Sequence, residues 1–402
     1  MVSPAARPYI DASVPVLREH GVTITTTFYR TMFAAHPELC NLFNMGNQAS
    51  GVQQQSLAAA VFAYAANIDN AAALAPVIER IVHKHVSIGI KPSHYPIVGH
   101  YLLGAIAQTL GDAATPALLA AWDEAYTELA DLFIAAEQAM YGRAGITPGQ
   151  LRAMRVIQVE RQSADVNSYT LQAMDALPAF SFKPGQYISV SVDFGNGRSQ
   201  IRQYSLSDAP NAGSLRISVK REAAGDETPQ GEVSNWLHQH VTAGSSLQVS
   251  PPMGEFTPDT ESADPIVLLS AGVGITPMIA ALNRIAQVQP ERRTIFAHAA
   301  MDEQHHSHLA DLRAAAAVMP NLHILNFYQS ASANALQDKN NQAGLMDVAK
   351  LPAWSRTETK VHLCGPTGFM KAQWRALLDA GVPVSCLYRE VFGPDLLDSL
   401  AA

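Results

Sequence analysis

Apolar residues in the first third of the chain recur at helical spacing. In VPVLREHGVTITTTFYRTMF and LLAAWDEAYTELADLFIAAEQAMY they return every three or four positions, the period of a helix with one face inside. Pro37, Pro92, Pro96 and Pro116 punctuate the segment near helix starts or joints. Six or seven helices fit residues 1–142, and no strand pattern competes with them. At YGRAGITPGQLR the grammar changes: Gly142, Gly145, Pro148 and Gly149 mark a linker, placed at 143–151. Short β-type runs follow (MRVIQVERQ, SYTLQAM, QYISVSVDF, LRISVKRE, SLQVSPP), separated by turn residues at fairly regular intervals. That spacing predicts an antiparallel barrel or sandwich over 152–260. From 261 to 402, apolar strands (PIVLLS, TIFAHAA, LHILNFY, KVHLCG, VPVSCLY) alternate with helical stretches (PMIAALNRIAQ, SHLADLRAAAAVM, FMKAQWRALLDAG). Such alternation predicts a parallel α/β sheet. The expected fold is multidomain: all-α, then antiparallel β, then α/β.

Length and charge narrow the partners. A chain of 402 residues exceeds one ordinary core, so two or three domains are expected. Only 15% of residues are charged, and the net charge of -8 disfavours nucleic acid or an anionic membrane surface. Residues 1–143 hold seven Lys/Arg against eleven Asp/Glu, so neither half carries a basic patch able to track phosphates. Cys40, Cys364 and Cys386 form no disulfide framework and no CxxC zinc motif. The N-terminus lacks the charged and apolar regions of a secretory signal. The longest apolar run, PIVLLSAGVGITPMIAAL, is interrupted by glycines and a proline, wrong for a membrane span. A soluble, reduced, cytoplasmic protein is the expectation.

Candidate chemistry is densest in the C-terminal part. LLSAGVGITPM puts Gly272 and Gly274 at a strand end and Pro277 at the next helix start, a turn where backbone amides can meet a pyrophosphate. A simple tight turn explains that motif equally when it stands alone. HLCGPTGFM adds Cys364, Gly365 and Pro366 at the end of another strand, and both turns would share the ligand-binding edge of a parallel sheet. Upstream lie KPGQYISV, IRQYSLSD and GEVSNWL. Arg202 offers a fixed fork for a phosphate, Tyr204 a flat ring and Ser205 a donor to a ring nitrogen. RQYS alone also reads as an exposed strand end. Ser234 and Asn235 are expected to precede a short helix, as phosphate-facing residues or merely as a cap.

In this order the motifs resemble the ferredoxin–NADP reductase family over about residues 152–402. The resemblance implies that Arg202, Gln203, Tyr204 and Ser205 hold FAD, with Tyr187 nearby and Ser234 on the phosphate side. It implies that the turn Gly272, Val273, Gly274, Ile275, Thr276, Pro277 holds the dinucleotide, with Cys364 and Gly365 near the nicotinamide. The terminal YREVFGPD would set Glu390, Val391, Phe392, Gly393 and Pro394 at the flavin, Phe392 packing on it at the end of a final strand. In HAAMDEQHH, Asp302 and Glu303 would repel a 2'-phosphate and suit a ribose hydroxyl. NADH is therefore expected, with NADPH as the alternative.

A flavin reductase needs an acceptor, and an Ala-rich helical unit of this size suits a globin. Its candidates are Tyr29, Phe43, Gln53, Leu57, Glu137 and the stretch VHKHVSIGIKPSHYPIVGHYL, which holds His83, His85, His94 and His100. Gln53 and Leu57, four apart, would share one helical face. Each also reads as ordinary core or surface when taken singly. Together, their spacing and the order globin, FAD, NAD resemble the flavohaemoglobin family along the whole chain. The resemblance implies haem b with His85 as iron ligand, Tyr29 and Gln53 as distal hydrogen-bonding groups, and Phe43 and Leu57 in the haem pocket. Tyr95 and Glu137 would be proximal partners of the imidazole, and Lys84 would lie towards the flavin. A carboxylate on the ligand's second nitrogen strengthens the imidazole as a donor and favours oxygen activation over carriage. The resemblance implies a monomeric nitric oxide dioxygenase acting on oxygen, nitric oxide and NAD(P)H, with room for a lipid in the distal pocket. A haem-based gas sensor would not need the flavin–nicotinamide chain. A reductase serving a separate protein would want a charged docking patch, which the composition does not supply.

Overall fold

The structure is a computed structural model and describes residues 2–68, 70–177, 180–211, 213–225 and 229–393, with the backbone alone for 71–73. Six helices fill its first part: α1 (Arg7–Ala35), α2 (Met45–Ala49), α3 (Val52–Ala66), α4 (Ala71–Ile88), α5 (His94–Leu110) and α6 (Pro116–Ala144). Their sequences carry the signals that start and stop them. Thr115 Oγ1 accepts from Leu118 N at 3.2 Å to cap α6, and Gly145 ends it in the left-handed conformation. The buried face of α1 runs Ile10, Leu17, Ile24, Phe28 and Met32, the helical period expected from the sequence.

An antiparallel sheet follows, formed by β1 (Arg152–Arg161), β2 (Val166–Ala173), β3 (Tyr187–Gly195), β4 (Arg198–Ser205), β5 (Leu215–Lys220) and β6 (Ser246–Val249). The strand order is β4-β3-β6-β1-β2-β5, and a bridge between Leu206 and Ile217 joins the two edges into a barrel. Helix α7 (Glu232–His240) contributes Val233 and Leu237 to the barrel core. Strand β4 is not among the expected runs. RSQIRQYS lacks apolar alternation because its outward polar groups are spent against the helical domain: Gln200 Nε2 donates to Cys40 O at 2.8 Å, and Arg202 Nη2 to Asn44 Oδ1 at 3.1 Å. The β3–β4 hairpin turns at Asn196 (φ 55) and Gly197 (φ 74), the left-handed pair that a two-residue hairpin needs.

The last part is an all-parallel sheet in the order β10-β9-β8-β7-β11-β12. Its strands are β7 (Ile266–Ala271), β8 (Thr294–Ala300), β9 (Leu322–Tyr328), β10 (Asn341–Ala343), β11 (Lys360–Cys364) and β12 (Leu387–Glu390). Helices α8 (Ile275–Val288), α9 (Leu309–Val318) and α10 (Thr367–Asp379) connect them. Chain order reverses between β7 and β11, which makes the crevice at their carboxyl ends the expected ligand site. VPVSCLY is only partly a strand. Pro383 precedes a 3-10 turn over Val384–Cys386, so pairing starts at Leu387. The strand then stops at Glu390, two residues short of Phe392, which is exposed; Pro394 lies outside the described residues.

A buried polar knot joins barrel and parallel sheet. Asp311 accepts from Arg216 Nη2 at 2.8 Å and Asn283 Nδ2 at 2.8 Å on one oxygen, and meets His308 Nδ1 at 2.9 Å on the other. His308 Nε2 reaches Ser218 Oγ at 3.0 Å, and His308 holds a left-handed backbone (φ 64) to do so. Burial raises the Asp311 pKa, but the His308 hydrogen bond and the Arg216 charge outweigh it and hold the carboxyl well below its usual range. A depressed carboxyl contributes stability that is complete above its unfolded pKa and is lost as pH falls through the folded value. Asp311→Ala strands Arg216 and His308 at the interface and is expected to cost about 3–5 kcal/mol. Denaturant unfolding of the variant at neutral pH measures the loss, which should shrink as the pH is lowered into the acid range.

Candidate functional site

Three helices converge on one imidazole. His85 lies in the last turn of α4, Tyr95 in the first turn of α5 and Glu137 near the end of α6. His85 Nδ1 is 2.7 Å from Glu137 Oε1 and 3.2 Å from the Tyr95 hydroxyl, which donates to the same carboxylate oxygen at 2.5 Å. Glu137 is 2% exposed, so this carboxylate has left water and takes its hydrogen bonds from these two groups. An anionic acceptor fixes the Nδ1–H tautomer, and the Nε2 lone pair is left free to bind a metal. Burial, then the hydrogen bond and charge of Glu137, push the Tyr95 pKa upward, so its hydroxyl stays a donor.

The other three histidines have different work. His83 Nδ1 accepts from Gly254 N at 3.0 Å, His94 Nδ1 accepts from Lys91 N at 3.2 Å, and exposed His100 stands edge-on to Tyr101. Among the described residues no group of three or more His, Cys, Asp and Glu could hold a metal, so the stretch is no cluster. One imidazole with a carboxylate behind it is the donor set of a single axial ligand rather than of an all-protein metal cage.

Across from α4, Tyr29 of α1 is buried, and burial pushes its pKa up to about 12 against the lowering effect of a hydrogen bond with Gln53. Gln53 Nε2 donates to the Tyr29 hydroxyl at 3.4 Å, leaving the phenol proton free to donate elsewhere. Phe43 stands edge-on to Tyr29, with ring centroids 5.7 Å apart. Phe43, Leu57, Val61 and Val98 remain half-buried although they pack against the helical core. Half-buried apolar side chains beside a phenol, together with an imidazole whose second nitrogen is free, are side chains that suit a flat apolar group carrying a metal. Lys84 is also half-buried, and burial pushes its pKa down.

The expected flavin residues gather at the barrel face turned to α4. Tyr187 pairs in register with Ser205, and Ile188 with Tyr204. Gln203 Nε2 donates to Ser87 Oγ of α4 at 3.3 Å, and burial pushes the Tyr187 and Tyr204 phenols up. Arg202 has no carboxylate at ion-pair distance among the described residues, since Glu232 is taken by Arg198 at 2.5 Å. A guanidinium so placed suits an anionic phosphate. Ser234 and Asn235 do not precede α7 but lie within its first turn. Their side chains clamp the preceding loop, Ser234 Oγ donating to Gly231 O at 3.1 Å and Asn235 Nδ2 to Glu222 O at 2.8 Å. Glu390 and Val391 are half-buried, while Phe392 and Gly393 are exposed.

At the reversal between β7 and β11 the expected turns meet. A Cβ on Gly274 would lie 2.4 Å from Cys364 O, and one on Gly365 3.1 Å from the Cβ of Ala271. Gly274 therefore demands glycine for backbone packing, whereas a side chain at Gly365 would first meet the Phe369 ring and the Ala271 methyl. Gly272, Val273 and Gly274 lead into α8, whose first turn holds Ile275, Thr276 and Pro277. Cys364 is fully buried, and burial pushes its thiol up, so its side chain belongs to the core under the crevice. Asp302 caps its own turn, accepting from Gln304 N at 2.9 Å, and meets His305 Nδ1 at 2.6 Å. Glu303 accepts from Ser332 N at 2.9 Å. Asn44 and Ser87, which touch this machinery, were missed in the sequence; neither has a motif, and only tertiary contact reveals them.

The chain matches the family model Globin over residues 26–133, Oxidoreductase FAD-binding domain over 153–257 and Oxidoreductase NAD-binding domain over 268–374. It is 44% identical to a flavohemoprotein of Bordetella parapertussis over 405 residues, covering 98% of this chain and 99% of the relative. It is 45% identical to a flavohemoprotein of Deinococcus radiodurans over 402 residues, covering 98% of each. Among solved structures, the flavohemoglobin from Malassezia yamatoensis with bound FAD and heme matches with a TM-score of 0.84 and 27% identity, over 98% of this chain and 100% of that one. The FAD/NAD-binding domain of the nitric oxide dioxygenase from Vibrio cholerae matches with a TM-score of 0.55 and 34% identity, over 60% of this chain and 99% of that one.

The glycine contact yields a test. Gly274→Ala forces a methyl into the Cys364 carbonyl, and the backbone there has no flexible end to yield. It is expected to destabilise the fold by about 1–3 kcal/mol, seen as a lower thermal midpoint. Thr276→Ala, which loses only a hydroxyl bonded to Val273 O at 3.0 Å, should cost less.

Proposed function

The chain belongs to the flavohemoprotein family and is an oxidoreductase, and on that footing we propose that it is a nitric oxide dioxygenase. Bound haem, FAD and NADH would supply the electron path: a two-electron hydride in, single electrons out to iron, and oxygen and nitric oxide combined there to nitrate. The balance is one NADH, two oxygen and two nitric oxide giving two nitrate, NAD+ and a proton. The observation that carries the reading is the hydrogen-bonded trio of His85, Tyr95 and Glu137, whose imidazole lies on the same helix, α4, that abuts the candidate flavin face.

The residues divide the work. Glu137 holds the Nδ1 proton of His85 and so makes Nε2 a stronger donor to iron, and Tyr95 orients that carboxylate. Tyr29 keeps its proton at any physiological pH and donates it toward the ligand side, with Gln53 holding the phenol in place. Phe43 and Leu57 wall the haem and exclude water. Arg202 would hold the flavin phosphates, Tyr204 and Tyr187 would flank its ring system, and Gln203 and Ser205 would hydrogen-bond to it, with Lys84 towards the haem side. Ser234 acts through the amide end of α7, since its hydroxyl is engaged in the loop. Glu390, Val391, Phe392 and Gly393 border the far edge of the flavin. The turn Gly272–Pro277 receives the NADH pyrophosphate, and Cys364 and Gly365 support the nicotinamide end through their backbone. No helix among the described residues is long and apolar enough to cross a membrane.

Two measurements test this reading. NADH-driven nitric oxide consumption by the purified protein should need oxygen and yield one nitrate per nitric oxide; oxygen-independent consumption, or consumption without nitrate, rejects it. His85→Ala should abolish the haem Soret band while retaining flavin absorbance, and His83→Ala should keep both. The reverse pattern would overturn the ligand assignment.

A further inference from the structure

We infer that Asn44 is a positioning residue that couples the flavin anchor to the distal wall of the haem pocket, so that filling one site changes affinity at the other. The inference rests on the cofactor reading above. Its starting point is one oxygen atom. Asn44 Oδ1 accepts from Gly46 N at 3.0 Å, which caps α2, and from Arg202 Nη2 at 3.1 Å, which ties the cap to strand β4. Arg202 spends one more N–H on Ile201 O at 2.8 Å and has donors left for an anion. A phosphate drawing on that guanidinium therefore draws on Asn44.

Two arms carry the effect into the distal pocket. The first is covalent: Phe43 precedes Asn44, and its ring meets Tyr29 at 5.7 Å and Phe33 at 5.2 Å, both edge-on. The second runs through the capped helix. Gln48 of α2 accepts from Gln54 Nε2 through both its backbone oxygen (3.1 Å) and its side-chain oxygen (3.0 Å), while Gln54 O accepts from Thr25 Oγ1 at 2.9 Å. Gln53, next to Gln54, is the donor to Tyr29. Asn44 is thus linked to Tyr29 through Phe43, and to Gln53 through α2, Gln48 and Gln54.

The corner is also stitched to the flavin-side hairpin, so the two move together. Asn41 spans the β3–β4 turn, donating to Gly197 O at 3.1 Å and accepting from Ser199 N at 3.1 Å, and Gln200 reaches Cys40 O at 2.8 Å. Close-packed elements joined this way transmit a shift rather than absorb it. Linkage makes the effect reciprocal: whatever factor a distal ligand imposes on flavin affinity, flavin imposes on that ligand.

The test uses the full-length, haem-loaded ferric protein, with azide as distal ligand and flavin fluorescence as the readout of FAD affinity. Saturating azide is expected to change the FAD dissociation constant about fivefold, and FAD to change the azide constant, read from the Soret band, by the same factor. Asn44→Ala should bring both factors to one, while Asn44→Asp, which keeps an acceptor oxygen for Gly46 and Arg202, should retain them. If Asn44→Ala fails to load haem, Gln48→Ala cuts the second arm alone and should reduce the factors. Equal FAD affinity with and without azide in the unmodified protein, or a coupling factor unchanged in Asn44→Ala, overturns the inference. Failure to take up haem or FAD at all would instead reject the cofactor reading.

Discussion

One buried carboxylate organises the helical domain. Glu137 sits 2% exposed with no Lys or Arg at ion-pair distance among the described residues, and its cost in the interior is met by Tyr95 and His85 on a single oxygen. Those bonds exist only if α4, α5 and α6 cross at fixed height and angle. Tyr126 donates to Tyr95 O at 2.6 Å and Tyr141 to Ile90 O at 2.8 Å, so α6 grips the α4–α5 connection on both sides of the carboxylate. The imidazole's tautomer, its orientation and the position of its free nitrogen all follow from this packing. A glutamate that merely faced solvent at the same sequence position would fix none of them.

The same helix is also the joint to the reductase. Val82 and Val86 of α4 share a hydrophobic cluster with Met253 and Tyr187 of the barrel, so the two domains have part of a core in common. Around it, Arg80 pairs with Glu255 at 2.8 Å, His83 with the Gly254 amide, and Ser87 with Gln203. One face of α4 presents the candidate metal ligand and another face meets the candidate flavin residues. On the proposed reading, the distance between the two candidate redox sites is set by the width of a helix rather than by the freedom of the linker. This is the physical difference from a reductase that must find a separate acceptor by diffusion.

How far all this was legible depended on which interactions were local. The all-α, antiparallel β and α/β order was readable because each period reports burial of a face, and the strands PIVLLS, TIFAHAA and LHILNFY form where their apolar runs say. The candidate iron ligand needed more than spacing: four histidines within twenty-one positions differ only in what lies opposite them, and Glu137 is 52 residues away from His85. Only the end of strand β4, RQYS, read as strand, because the outward side chains before it serve another domain. Phe392 was placed by resemblance on a strand that in fact ends at Glu390. Ser234 read as a helix-start residue ahead of α7, but Glu232 already opens the helix, so its hydroxyl faces the loop instead. Asn44 left no trace at all, since its importance lies in a single oxygen shared between a cap and a distant guanidinium.

For the proposed preference for NADH, the charge argument has a different geometric basis from direct contact with the ribose. Asp302 and Glu303 suggested direct acceptance of a ribose hydroxyl. Instead, one carboxylate caps its own turn and the other secures the Ser332 loop. Their hydrogen bonds, from His305 to Asp302 and from Ser332 to Glu303, hold both groups below the ordinary carboxylate range. Both therefore stay ionised at neutral pH, and two negative charges stand past the carboxyl end of β8. A 2'-phosphate arriving there meets repulsion whether or not either oxygen touches the ribose. Discrimination of this kind acts through a field, so it weakens with salt, whereas a direct ribose hydrogen bond would not.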